Sequence, residues 1–229
     1  MALLPQTNMM ARIRLIAVVL MAAACACPAQ KASSSAGGKK VIWEPPRIDW
    51  PDSLPTSTVP KEMIGSLRVA NFPIVLEETK LEDAQRRFGG MIGSCGDAGD
   101  AEAWLCLHGR DANGPWIFWL TSGEIDGPAI GGFEWRRLAP NELPDHRCPL
   151  LRKGDGGIAL PLQLHPGMTE VEMRRILGRP TIARGRTLIF FHEHQETIQN
   201  LPYTSENTIT IVLRGGLVLA IQVSKTTSS

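Results

Sequence analysis

The stretch "HPGMTEVEMRRILGRP", residues 165–180, decides how this chain is read. Thr169 and Glu172 have the spacing of a capping box. The threonine hydroxyl accepts the amide proton three residues on, and the glutamate reaches back to the threonine amide. Met168 and Met173 stand where a hydrophobic staple closes over such a cap. Gly178 can take the left-handed conformation that ends a helix, and Pro180 forbids its continuation. The segment is therefore a short helix with a sharp start and a sharp stop, and the question is what such a unit serves.

A worn copy precedes it. "FPIVLEETKLEDAQRRFGG" (72–90) repeats the features of "LPLQLHPGMTEVEMRRILGRP" (160–180). Each opens on an apolar residue and a proline, and each reaches a leucine three residues later (Leu76, Leu164). Each then carries a Thr-x-x-Glu box (Thr79 with Glu82, Thr169 with Glu172), an Arg-Arg pair and a closing glycine (Gly89, Gly178). Three strand-like runs follow each helix: "AEAWLCLHG", "PWIFWLTSG" and "AIGGFEWRRL", then "RTLIFFHEH", "NTITIVLRG" and "LVLAIQVSK". Gly215-Gly216 marks a tight hairpin. The alternation of Ile209, Ile211 and Leu213 with Thr208, Thr210 and Val212 predicts a half-buried antiparallel strand. An internal repeat of this kind predicts two tandem α+β units. Each is helix-helix-three-strand, and together they form one antiparallel sheet with the helices on one face.

The ends of the chain set its compartment. Arg12 and Arg14, the apolar run Leu15–Ala24 and the small-residue exit "CACPAQ" make a secretory signal peptide over residues 1–29. That run is too short to cross a bilayer of about 30 Å. A second reading lipidates Cys25 or Cys27 and anchors the chain to the outer membrane. Residues 30–64, rich in Ser, Gly and Pro, read as a tether whose Trp43 and Trp50 dock on the folded body. Residues 65–150 and 151–229 are the two units, joined through Gly154–Gly157. Without residues 1–29 the chain holds 22 basic and 23 acidic side chains, a balance that excludes a nucleic-acid binder. The implied location is periplasmic or secreted. Three cysteines remain in the body, Cys95, Cys106 and Cys148, and an oxidising compartment favours pairing two of them.

The pattern Gly167-Met168-Thr169, Met173, Leu177-Gly178 and Pro180 resembles a known exported family. It is similar to the small outer-membrane-assembly lipoproteins of the SmpA/OmlA (BamE) group and to their two-copy relatives, the β-lactamase inhibitor proteins. That resemblance implies tandem units of two helices and three strands whose common sheet grips a partner protein. Cys95 and Cys106, followed by His108, a loop with Asp111 and the aromatic strand Trp116, Phe118, Trp119, resemble the disulfide-tied strand pair of the inhibitors' first unit. The resemblance therefore pairs Cys95 with Cys106 and leaves Cys148 over.

Catalytic patterns are missing from the sequence. The glycines at 89, 90, 93, 96 and 99 form neither a dinucleotide nor a phosphate loop and read as a flexible connection. No nucleophile elbow occurs. His192 and His194 share one strand face, but two ligands do not make a metal site. No cofactor is implied. Strand alternation sets Trp116 and Phe118 on one face and Trp119 on the other, so one aromatic set faces a core and the other a partner. Exposed Trp and Arg are frequent interface anchors. The expected contact residues are Asp111, Trp119, Trp135, Arg137, His192 and His194, with Asp111 as a protruding acid. The expected function is that of an exported, non-enzymatic binding protein of the inhibitor or immunity type, directed at another exported or envelope protein. A structural or assembly lipoprotein of the envelope is the alternative, and a metal-dependent hydrolase using His192 and His194 is a third reading.

Overall fold

The computed structural model describes residues 38–46, 64–96, 101–123, 126–198 and 201–228. The signal segment, Cys25, Cys27 and Trp50 lie outside them. In chain order the strands are β1 (Lys40–Ile42), β2 (Ser66–Val69), β3 (Phe72–Val75), β4 (Ile92–Cys95), β5 (Glu102–Asp111), β6 (Gly114–Gly123), β7 (Gly132–Arg137), β8 (Glu142–Pro144) and β9 (Ile158–Ala159). They continue as β10 (Ile182–Arg184), β11 (Thr187–Ile198), β12 (Leu201–Arg214) and β13 (Leu217–Ser228). The α-helices are α1 (Leu81–Phe88) and α2 (Glu170–Leu177).

This architecture is mostly β and corrects the expected two tandem helix-helix-three-strand units. Each half has one α-helix of eight residues, followed by a four-strand meander. The ground where a second helix was expected is broken by proline. Pro73 sits in the β2–β3 hairpin, and Pro161 opens a 3-10 turn in which Leu162 and Gln163 take positive φ. The hairpin adds β9 to make a small sheet of order β3-β2-β9.

The main sheet has eight antiparallel strands in the order β10-β11-β12-β13-β7-β6-β5-β4. The halves meet through their last strands, with Trp135 opposite Ile221 and Glu134 opposite Gln222. The pairing is self-consistent: Glu134 and Gln222 are 88 positions apart, as are Ile130 and Val218, which lie near the starts of β7 and β13. An approximate two-fold axis thus passes between Glu134 and Gln222.

One face of the sheet carries Leu105, Leu107, Trp116, Phe118, Phe133, Trp135, Phe190, Ile209, Ile211, Ile221 and Val223. Leu81 and Ala84 of α1, Met173 and Leu177 of α2, and the small sheet pack on it. The opposite face has a second core of Trp104, Cys106, Ile117, Trp119 and Cys148. It is closed by Ile42 and Trp43, which belong to the stretch read as a tether. There β1 runs parallel to β8, the Asp145 amide donates to the Ile42 carbonyl at 2.9 Å, and the Arg147 guanidinium lies 4.0 Å from the centre of the Trp43 ring. Thr208 and Thr210 are buried too, so β12 is covered on both faces rather than one.

Two tryptophans explain two glycines. Trp104 lies across Gly93 and Trp116 across Gly109, where a Cβ would fall 2.5 Å and 2.3 Å from the rings. Gly93 is thus a strand residue under an indole, not part of a flexible connection.

Candidate functional site

The two helix entries are built alike, each bonded within its own half and then gripped from the other. Glu77 N–H donates to the Ile130 carbonyl at 2.8 Å, and Gly167 N–H donates to the Val218 carbonyl at 2.7 Å. Both residues take positive φ, 67° for Glu77 and 100° for Gly167. A cation from the last strand of the other half then reaches each entry. Arg137, ending β7, donates from Nε and Nη2 to the Pro166 carbonyl at 3.1 and 2.5 Å. Lys225, 88 positions later on β13, stands 3.6 Å from the Glu77 carboxylate, which also accepts from Thr227 Oγ1 at 2.9 Å. These contacts clasp each helix to the sheet of its neighbour.

Asp111 and Arg137, both expected at a partner surface, meet in that clasp. Arg137 Nη1 donates to Asp111 Oδ1 at 2.6 Å and to the Gly114 carbonyl at 3.2 Å. The Arg137 side chain is 11% exposed and that of Asp111 38%. The acid is therefore tied to the hairpin rather than offered as a free charge. Trp119 is fully buried and donates through Nε1 to the Trp43 carbonyl at 2.9 Å. Trp135 is 5% exposed and packs edge-to-face on Trp116. Both aromatic sets serve cores, because the Trp43 segment covers the face that the strand pattern left open.

The cysteine pairing also differs from the expectation. Cys106 is bonded to Cys148, not to Cys95. Cys95 stands opposite Glu102 in the β4–β5 ladder, four residues along β5 from Cys106. At about 3.3 Å per residue that offset is roughly 13 Å, beyond the Cα separation of roughly 7 Å that a disulfide tolerates. The bond instead ties the Asp145–Leu151 loop over Trp119 and Trp104.

The sequence reading missed a buried polar row on that face. Trp119, Glu134, Gln222 and Thr210 are successive cross-strand neighbours from β6 to β12. Glu134 is 2% exposed, and its Oε2, Gln222 Oε1 and Thr210 Oγ1 make no hydrogen bond among the described residues. Burial pushes the Glu134 carboxyl up to about 8, against the pull of Arg136, while Glu102 adds to the rise. The signal was a lone glutamate between Phe133 and Trp135 on a short strand.

The most exposed part of the sheet is the far end of β11, β12 and β13. These strands run on as a ribbon past the residues that pack against the helices. His192 and His194 sit there with rings stacked 6.4 Å apart and 8° from parallel, His194 exposed and His192 half-buried. Among the described residues no three His, Cys, Asp or Glu side chains gather to hold a metal ion. Leu201 is 55% exposed at the ribbon tip. On the other ribbon face Glu193 stands directly opposite Glu206, both exposed. Away from the ribbon, a cleft of about 120 Å³ lies between Arg87, Phe88, Leu107, Leu150, Leu151 and Asp155.

No known protein family, no curated protein and no solved structure matches this chain. Its function is therefore read from the geometry alone.

Proposed function

We propose that this protein is an exported, non-enzymatic binding module that holds another exported or envelope protein and acts as an inhibitor or immunity-type partner. The observation that carries the reading is the three-stranded ribbon. It is an antiparallel extension of an eight-stranded sheet, with the stacked His192–His194 pair and Leu201 at its exposed end. A scaffold tied by the Cys106–Cys148 bond and by the Arg137 and Glu77 clasps presents that end without reorganising, which lowers the entropic cost of binding. A disulfide inside the core accords with an oxidising compartment. The expected contact surface thus contracts to His192, His194 and their neighbours on the ribbon, since Trp119 and Trp135 are buried.

The test is affinity capture from envelope extract with the tagged chain, repeated with His192→Ala/His194→Ala and with Leu201→Ser. The reading expects a discrete partner that both variants lose while their thermal midpoints stay within a few degrees of the parent. A captured set unaltered by either change sinks it.

A further inference from the structure

The ribbon has an open edge. The β10–β11 pairing runs from Arg184 opposite Thr187 to Ile182 opposite Ile189, so beyond Ile189 β11 is the outermost strand among the described residues. In an antiparallel ladder each residue sends its N–H and C=O to the same side, alternating along the strand. The two-residue turn Gly185-Arg186 makes Arg184 and Thr187 a hydrogen-bonded pair, which turns the odd-numbered residues of β11 away from β12. Phe191 follows this parity, since its N–H donates outward to Thr181 Oγ1. Glu193, Gln195 and Thr197 therefore point N–H and C=O groups to the open side, where no described strand meets them.

The side chains beside this edge define what would fit. Glu193 and Glu206 are directly opposite each other, and like charges in that relation are destabilising. The next residue across is Thr226, which is neutral, and neither glutamate makes an ion pair among the described residues. A strand added outside β11 would set a side chain about 4.5–5.5 Å from that of Glu193. A lysine or arginine there relieves the repulsion, whereas an acidic residue adds to it.

Resting on the binding role proposed above, we infer that β11 takes up an extended segment of the partner as a ninth strand, paired to Glu193, Gln195 and Thr197, with a basic residue across from Glu193. Main-chain bonds supply the affinity, and the basic residue supplies the selection. The paired glutamates meanwhile keep acidic strands off an edge that would otherwise invite indiscriminate pairing.

The probe is the blocked peptide acetyl-Thr-Val-Thr-Lys-Thr-Val-Thr-amide, with the same peptide bearing Glu for Lys as comparison. Amide hydrogen exchange of the disulfide-intact chain reads the result. The lysine peptide is expected to slow exchange at Glu193, Gln195 and Thr197 and to leave His192 and His194, which bond inward to β12, unaltered. It should bind at least about tenfold more tightly than the glutamate peptide, and Glu193→Lys/Glu206→Lys should reverse that order. Gln195→Pro removes one outward N–H and no ladder bond, and should abolish protection. Absence of protection at the three residues, or a preference that survives the charge reversal, overturns the inference. So does protection of the same residues in the protein alone at high concentration, which would give the edge to a second copy. If Gln195→Pro still captures the envelope partner while His192→Ala/His194→Ala does not, strand addition fails and the binding role stands. If the lysine peptide binds but the parent captures nothing, the binding role fails and the edge stands.

Discussion

Glu134 of β7 and Gln222 of β13 face each other across the seam that joins the two halves, each with a buried oxygen that lacks a donor. A neutral carboxyl adds a donor to this acceptor pair, so the seam favours a protonated Glu134. Its folded value of about 8 lies above the ordinary 4.5. Between those limits the unfolded chain releases the proton and the folded chain keeps it. Stability is then full below about pH 4.5 and is lost as pH rises through 8, by on the order of 4–5 kcal/mol. Glu134→Gln, neutral at every pH, should flatten that fall. Urea unfolding at pH 5 and pH 8.5 checks it: the parent should lose stability between the two and the variant should not.

Arg137 binds the Pro166 and Gly114 carbonyls as well as Asp111, and its side chain is largely buried. Arg137→Ala strips the guanidinium donors from the Pro166 and Gly114 carbonyls, leaving Pro166 only the longer contact to His165 Nδ1, and should cost roughly 2–4 kcal/mol. Asp111→Ala removes a part-exposed ion pair and an exposed turn bond from the Asn113 amide and should cost about 1 kcal/mol, less than the arginine. A double-mutant cycle by chemical unfolding separates the two. Equal losses would mean that the carboxylate, not the carbonyl, holds the arginine.

The Cys106–Cys148 bond closes a separation of 42 residues. On chain-entropy grounds such a loop contributes about 4 kcal/mol. Cys106→Ala/Cys148→Ala should lose that stability and loosen the Trp43 segment over Trp119, seen as faster exchange at the amides of residues 40–43. A variant as stable as the parent would show that the loop is held by the Asp145–Arg147 contacts alone.

What could be read from the sequence was local. Thr169 and Glu172 do form their box, with the Glu172 amide donating to Thr169 Oγ1 at 3.2 Å. Gly89 and Gly178 close the two helices, and Gly215-Gly216 turns the last hairpin with both residues at positive φ. The six strand runs are all strands, though β11, β12 and β13 extend beyond their apolar cores into the polar ribbon where alternation gives no signal. The same Thr-x-x-Glu spacing failed in the first copy. There Lys80 is the N-cap, and Thr79 Oγ1 accepts from the Val75 amide instead. What covers a strand face was not local. Strand alternation alone turns Trp119 outward because the residues that bury it, Ile42, Trp43 and Cys148, lie 77, 76 and 29 positions away, beyond the reach of any periodicity. Cys148, the true partner of Cys106, is one of those distant pieces, whereas Trp135 is buried on the other face, in the helix-side core against Trp116.

The helix entries give a last prediction, because one backbone conformation is served by two residue types. Gly167 holds φ at 100°, and a Cβ there would lie 3.1 Å from the Asn113 side chain. Gly167→Ala combines an unfavourable φ with a tight contact and should cost roughly 1–3 kcal/mol. At Glu77 the same entry is made with a non-glycine residue at φ 67°, offset by the carboxylate's contacts to Thr227 and Lys225. Glu77→Gly should then be close to neutral, since relief of the backbone opposes loss of those contacts. Glu77→Ala, which keeps the strain and removes the contacts, should be the worse of the two by about 1 kcal/mol or more. Thermal unfolding of the three variants decides it. If Glu77→Gly were as damaging as Glu77→Ala, the carboxylate contacts rather than the backbone would set the cost at this entry.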